Sequence, residues 1–560
     1  MTHVLDRLKH PSLLAATFAL FLLAIVVINP LREMSIDDDW AYALTVRHLL
    51  ETGQYQLESW LGSNTLFQVG WAALYSLIFG YSLSILRVST LVLAGIGLLA
   101  FYGLAREHDL SGDEAALLTL IWLASPLVLQ LSFTFMSDIP FLVTISLALY
   151  CYSRGIRLHS IGWMILGSLA AAMAILTRHF GVALVAGLGL TWLLRKDRWL
   201  QFPFYTLGLI APVMALLLQT YVGIVTPYWA AGYVVAVQTA YMKSSAILLN
   251  LVWRPMLMLQ YLAFYALPLV PLALGLYIQE LQQPDLRNLG TALAKLDFWI
   301  LTCGTLYLLG ADLIGAFVMR RPGTFPYLPW ILDSLADLPG IITGGLTLIT
   351  SIGAFLFGRI FLLRYLQQSP DDPLDSSDLL LSFVTLFLVI ECLLFVQIGD
   401  RYFIPLLPYA LIVAGQYLFK RIKRTEVMRI AALLSLVVLV VSMLWIRGTL
   451  NYKEAQWQGS EMIRKTLGVP VERISAAWEW EAYNGSFDRY LASLSDPSMG
   501  TYNDYFHTWR ELQLNESQYV LEVSVPSLDS DPHLVIYDRI PFQGVNLQTH
   551  YVNIYKRVGQ

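Results

Sequence analysis

Between Pro11 and Ile28 the chain carries no charged side chain, and apolar blocks of similar length recur along most of its 560 residues. A run of about 20 such residues spans the hydrocarbon core of a bilayer as a helix, because only a helix or a closed barrel satisfies its own backbone there. This recurrence fixes the fold class as an all-α polytopic membrane protein. A composition of 57% hydrophobic and 14% charged residues excludes an ordinary soluble domain of this size. About thirteen spans are expected by apolar length. They lie near 11–29, 84–105, 113–132, 139–153, 160–176, 181–194, 203–222, 248–277, 297–316, 340–363, 378–397, 403–419 and 427–446. The apolar stretch Thr65 to Gly80 is left in the interface. With it so placed, Arg195-Lys196-Asp197-Arg198 and Lys420-Arg421-Ile422-Lys423-Arg424 fall on the side of the N-terminus, as the positive-inside rule requires. The N-terminus is then cytoplasmic, and the first loop and C-terminal tail are extracytoplasmic. The first apolar run lacks a small-residue cleavage site and reads as a retained span.

Two regions are expected: a transmembrane part over 1–448, with an outer first loop at 30–83, and a soluble outer domain over 449–560. Within the latter, Tyr519–Val525, His533–Tyr537 and His550–Tyr555 read as strands and Glu461–Leu467 as helix, giving a small α/β domain. The formal net charge of −4 gives no pull toward nucleic acid. Cys151, Cys303 and Cys392 all lie in apolar runs, which argues against a disulfide framework or zinc site.

The residues able to carry chemistry gather in the outer loops. Asp37-Asp38-Asp39 sit just after the first span, ahead of a segment, Asp39 to Leu50, that can form a helix capped by Gly53. Three adjacent carboxylates repel unless a cation or water offsets them. The plain alternative is an acidic N-cap, worth about 0.5–2 kcal/mol. Asp138, in Ser137-Asp138-Ile139-Pro140, emerges on the same side, and it too can be no more than a helix start. Arg178-His179, Arg320-Arg321 and Arg401 run against the charge bias there. Single arginines at a membrane edge snorkel. As a set facing carboxylates they suit a lipid phosphate, whose oxygens a guanidinium fork matches.

These motifs resemble a known family. Asp38-Asp39-Trp40-Ala41-Tyr42 followed by Leu49-Leu50-Glu51-Thr52-Gly53 is similar to the first loop of the superfamily of protein O-mannosyltransferases and lipid A aminoarabinose transferases. These are membrane glycosyltransferases of the C fold class. Phe79-Gly80 with Leu86-Arg87, Ser125-Pro126 with Ser137-Asp138-Ile139-Pro140, Leu176-Thr177-Arg178, and Arg401-Tyr402-Phe403-Ile404-Pro405 resemble later elements in the same order. The resemblance covers roughly residues 10–420. Two departures stand out. The His- or Lys-Pro-Pro element after the first loop is replaced by Gly62-Ser63-Asn64-Thr65, and the usual Glu is Asp39.

The resemblance implies inverting transfer of a sugar from a polyprenyl-phosphate donor to a glycan, lipid or protein acceptor at the extracytoplasmic face of a bacterial plasma membrane. Asp38 is then the general base, with Asp39 and Asp138 beside it. Arg178, Arg401, Arg320 and Arg321 are candidates for the donor phosphate, and Tyr42, His179 and Tyr402 for substrate contacts. No cofactor is expected, although the acidic triplet leaves room for a divalent cation. The competing class is a transporter or flippase of lipid-linked saccharides.

Overall fold

The computed structural model describes residues 11–58, 60–61, 64–225, 242–243, 246–282, 340–366, 375–395, 400–485, 489, 509, 514, 517–522, 526–529 and 531–558. The expected span at 297–316, with Arg320 and Arg321, lies outside them. Among the described residues six helices are long and apolar enough to cross a membrane, or up to eight if each of two bent pairs counts as one span. The expected number of thirteen is therefore not confirmed. Several of the apolar blocks are shorter as helices than a bilayer is thick. The chain is an integral membrane protein, mostly helical, with a small sheet near its end.

The chain opens with α1 (Pro11–Ile28) and, in the first loop, α2 (Asp39–Thr52) and α3 (Leu66–Phe79). α3 occupies most of the stretch assigned to the interface. Gly53 closes α2 as expected: its φ is +71°, and its N–H reaches the carbonyl of Leu49 at 2.9 Å. Next come α4 (Leu83–Glu107), α5 (Gly112–Ala124) and α6 (Pro126–Ser132). Ser82 caps α4 by accepting from the N–H of Ile85, and Ser111 and Glu114 form a reciprocal capping box at α5. α5 and α6 are bent by 68° at Ser125-Pro126, where proline cannot continue the backbone ladder. α7 (Asp138–Leu158), α8 (Ile161–Ile175), α9 (Val182–Leu193) and α10 (Arg198–Val225) come next in the chain. The stretch expected as one span near 248–277 is two helices, α11 (Ala246–Tyr265) and α12 (Val270–Gln282), bent by 86°. α13 (Gly340–Leu366), α14 (Ser376–Leu394) and α15 (Leu407–Arg421) complete the bundle. A 3-10 turn, Asp400–Leu406, leads into α15.

α16 (Arg424–Thr466) has 43 residues and is about 65 Å long. That is about twice the bilayer core. It runs unbroken through position 448, so a rigid rod joins the membrane part to the C-terminal sheet. The tail adds β1 (Ile474–Ser475), the short helix α17 (Trp478–Tyr483), β2 (Tyr519–Glu522), α18 (Pro526–Asp529), β3 (Leu534–Gln543) and β4 (Thr549–Arg557). The sheet order is β1-β2-β4-β3. β1 is parallel to β2, and the other pairs are antiparallel, with a bulge between Ile536 and Asp538. The strands expected at 519–525, 533–537 and 550–555 are present, two of them longer than read. One apolar core runs from Trp122 and Phe141 in the bundle to Trp480, Leu521 and Ile554 in the tail.

Charged pairs mark the two ends of the bundle. At one end Glu107 pairs with Arg154 at 2.7 Å, and Asp378 with His108 at 2.7 Å and Arg364 at 3.1 Å. The beginnings of α2, α4 and α7 lie at the other end, where the carboxylates of the loops meet.

Candidate active site

Asp37 has a left-handed backbone, φ +54°, uncommon for a residue with a Cβ. That turn separates the three neighbouring carboxylates and sends them to different partners. Asp39 is buried. Its Oδ1 accepts from the hydroxyl of Ser35 and, at 2.7 Å, from the N–H of Ile36; its Oδ2 accepts from the N–H of Phe135 at 3.3 Å. It therefore latches the first loop to the second. Burial pushes its carboxyl up to about 6, with Arg87 and these donors opposing the rise. Asp37 faces Arg401, whose Nη1 is 3.7 Å from its Oδ2. Burial, then the neighbouring Asp38, raise the Asp37 carboxyl well above the ordinary range.

Asp38 occupies the N-cap position of α2 but makes no capping hydrogen bond. Its Oδ1 accepts from the indole N–H of Trp60 at 2.7 Å, and its Oδ2 from Arg401 Nη2 at 2.8 Å. The capping alternative therefore does not describe its side chain. The same is true at α7. Ser137 is the N-cap without a capping bond, and the Asp138 carboxylate lies 2.9 Å from Arg178 Nη2. Arg178 Nε donates to Ser137 Oγ at 2.9 Å, and Tyr42 shares a hydrogen bond with that hydroxyl at 3.2 Å. Both guanidinium groups lie over the ring of Tyr402, Arg178 at 5.2 Å and Arg401 at 5.9 Å from its centroid. Tyr402 is held in turn by Phe180 and Phe395.

The structure thus gathers Asp38, Asp138, Arg178, Arg401, Tyr42 and Tyr402 at one end of the bundle. The two ion pairs differ in access. The Asp38 side chain is 17% exposed and that of Arg401 20%, whereas Asp138 is 1% exposed. Asp38 and Arg401 can meet a substrate; Asp138 is closed off and acts through Arg178 and on the charge of Arg401. Asp39 turns away into the protein, and His179 is exposed beside Arg178 but makes no hydrogen bond to the cluster. Among the described residues no group of three or more His, Cys, Asp or Glu side chains is placed to hold a metal ion. A cavity of about 410 Å³ opens elsewhere, between α1, α16 and β3, and none of these residues lines it.

Three contributors had no sequence signal. Trp60 is 22 residues from the carboxylate it binds. Glu479, in the tail, accepts from the Asp37 N–H at 3.2 Å, and Lys453 on α16 pairs with it at 2.9 Å. Arg87 belonged to a recognised motif, yet its task emerges only here: buried, it donates to the carbonyls of Pro30, Arg32 and Met34 at 2.9, 3.1 and 2.9 Å. Glu33 from the same loop accepts from the N–H groups of Leu83 and Ser84 at the start of α4.

The turn presenting Arg178 is packed to the limit. Gly181 closes it, and a Cβ there would stand 2.6 Å from the backbone nitrogen of Ile175. Gly181→Ala must displace backbone rather than a flexible side chain. We expect a loss of about 1–3 kcal/mol, read as a lower melting temperature of the detergent-solubilised protein.

The model of the dolichyl-phosphate-mannose-protein mannosyltransferase family matches residues 69–222. No curated protein matches the chain by sequence. Among solved structures, ArnT from Cupriavidus metallidurans in the apo state has a TM-score of 0.47 at 12% identity, covering 97% of each chain. The same protein bound to undecaprenyl phosphate gives 0.47 at 13% identity, covering 98% of each. The apo oligosaccharyltransferase of Archaeoglobus fulgidus gives 0.45 at 12% identity over 92% of this chain and 70% of that one. The matched segment includes Asp138 and Arg178, two residues of the carboxylate–arginine cluster, and Arg87, which holds the first loop. Residues 69–222, about a quarter of the chain, are therefore similar to the dolichyl-phosphate-mannose-protein mannosyltransferase family, within the superfamily that the ordered motifs resemble.

Proposed function

We propose that this protein transfers a sugar from a polyprenyl-phosphate carrier to an acceptor at the extracytoplasmic face of the membrane, with inversion at the anomeric carbon. The observation that carries the reading is the junction of Asp38 and Arg401: a partly exposed carboxylate and a partly exposed guanidinium in contact, backed by a second, closed Asp138–Arg178 pair across Tyr402.

The chemistry rests on what each group can do. A phosphate monoester leaves readily once its growing charge is stabilised, so the leaving oxygen needs cations rather than a strong acid. Arg401 and Arg178 supply them, with Asp138 and Ser137 fixing the plane of Arg178. The acceptor hydroxyl or amine is a weak nucleophile until a base takes its proton. Asp38 does so as the acceptor atom bonds to the anomeric carbon. The bond from that carbon to the phosphate oxygen breaks, and polyprenyl phosphate departs with the electron pair. A positioned base contributes about 10²–10⁴-fold. Asp37, with its carboxyl held toward the neutral form, places no full like charge beside the base. Tyr42 borders the cluster through Ser137, and Tyr402 forms its floor.

Arg401→Lys separates a charge role from a fork role. Lysine retains the cation but cannot contact Asp38, the phosphate and the Tyr402 face in one plane. The expected result is a rise of about tenfold in KM for the donor with a smaller fall in kcat, measured by steady-state transfer.

The reading as a whole is tested in proteoliposomes. A panel of decaprenyl phosphates carrying tritiated hexoses and pentoses is presented with washed bacterial membranes as acceptor. Transfer releases unglycosylated decaprenyl phosphate and labels the acceptor fraction. Movement of intact donor between leaflets without either product would mean a flippase, and would overturn the reading.

A further inference from the structure

The tail meets the first loop, which carries the candidate base, through three side chains. Trp478, at the start of α17, packs on Trp60 with ring centroids 5.6 Å apart, and Trp60 donates to Asp38 from the same ring. Glu479, the next residue, is buried and accepts from the Asp37 N–H. Tyr483, one turn on, lies 5.7 Å beneath the guanidinium of Arg47 on α2. Behind Glu479 stands Lys453, carried out of the membrane on the unbroken α16. Two features of the first loop depend on these contacts. The left-handed backbone of Asp37 persists only if its surroundings enforce it, and Glu479 holds the N–H of that same residue. Asp38 has two anchors, one on each oxygen, and one of them is Arg401. A phosphate arriving at Arg401 competes for its N–H groups. The indole of Trp60 then becomes the contact that keeps the carboxylate aimed.

We propose that Trp60, Trp478, Glu479 and Lys453 are positioning residues for the transfer reaction, so that the C-terminal segment completes the active site by fixing the orientation of Asp38. This inference rests on the reading of Asp38 as the base.

Transfer kinetics of the full-length protein in proteoliposomes test it, with the decaprenyl-phosphate sugar that the wild type turns over and the same membrane acceptor. Trp60→Phe keeps the ring packing and deletes only the N–H. The double variant Glu479→Gln/Lys453→Gln removes both buried charges together, so neither is stranded. Both are expected to lower kcat about tenfold and to leave KM for the donor within about twofold; Trp60→Phe, which takes a donor from Asp38, also moves the acidic limb of the kcat profile upward by about one pH unit. A carboxylate that has lost a donor holds its proton more tightly, whereas simple loss of folded protein lowers the amplitude without moving the limb. If Trp60→Phe lowers kcat with an unmoved limb, or if either variant changes KM and kcat together, the positioning role is wrong. Asp38→Asn, assayed alongside, distinguishes the two failures. An inactive Asp38→Asn with an unshifted Trp60→Phe profile overturns the positioning role and leaves the base in place. An active Asp38→Asn removes both.

Discussion

Asp38→Asn is expected to reduce sugar transfer by at least about 10²–10⁴-fold, a range set by what a positioned general base contributes, while the protein inserts and melts as the wild type does. The substitution keeps the shape of the side chain. Its amide oxygen can still accept from Trp60, whose indole nitrogen is 2.7 Å from Asp38 Oδ1. What it loses is the ability to take a proton and the charge that pairs with Arg401 at 2.8 Å. Asp37, whose Oδ2 stands 3.7 Å from Arg401 Nη1, remains beside the guanidinium, so the loss of stability is expected to be modest. Activity and stability should therefore separate: turnover collapses and the melting temperature moves little. Circular dichroism melts and transfer assays on one preparation check both halves. Near-normal transfer by this variant would remove Asp38 from the base role.

Arg87→Met should have the opposite signature, a large loss of stability from a residue that touches no substrate. Arg87 is buried and its guanidinium holds three carbonyls, those of Pro30, Arg32 and Met34, at 2.9, 3.1 and 2.9 Å. Methionine fills much of the volume but donates nothing. The carbonyls of Arg32 and Met34 would lose this donor, that of Pro30 would keep only the N–H of Arg32, and Asp39 would lose a cation that opposes its burial. Removing one side of such a buried, charged network costs about 3–5 kcal/mol. The first loop is the part expected to release, because Arg87 and the Glu33 carboxylate join it to α4 from both directions. The check is a large drop in melting temperature, with faster amide exchange confined to residues 30–48. A variant that melts like the wild type would mean that water replaces Arg87 at these carbonyls.

Much of the membrane part was legible in the sequence because apolar length and punctuation are local. α1, α4, α7, α10, α14 and α16 all begin close to the first residue of an apolar block, and Gly53 ends α2 where expected. Two stretches depart from a straight span for one reason. The stretches near 113–132 and 248–277 have the length and hydropathy of single spans, yet each is a sharply bent pair. Hydropathy averages over a break that depends on Ser125-Pro126 or on the turn at Leu267–Leu269. The length of α16 was underestimated for a related reason. Beyond residue 446 its sequence turns polar, which ends a span but not a helix.

The site was legible in kind and incomplete in detail. Asp38, Asp138, Arg178 and Arg401 are dispersed along the chain, with 363 residues between the partners of one ion pair, and the family resemblance, rather than spacing, marked them. By spacing alone Asp38 and Asp39 are equivalent neighbours, and the resemblance puts Asp38 in the base role with Asp39 beside it. Only the positive φ of Asp37 and the donors around Asp39 show that one is presented and the other is a latch. Trp60, Lys453 and Glu479 act through single tertiary contacts that no local pattern encodes.

The most direct test of the central claim is a cryo-electron microscopy structure of the protein with decaprenyl phosphate in a lipid nanodisc. The phosphate is expected within hydrogen-bonding distance of Arg401 and Arg178, over the Tyr402 ring, with Asp38 facing the side from which an acceptor must attack. A phosphate seated away from both arginines, with Asp38 still closed on Arg401, would contradict the account.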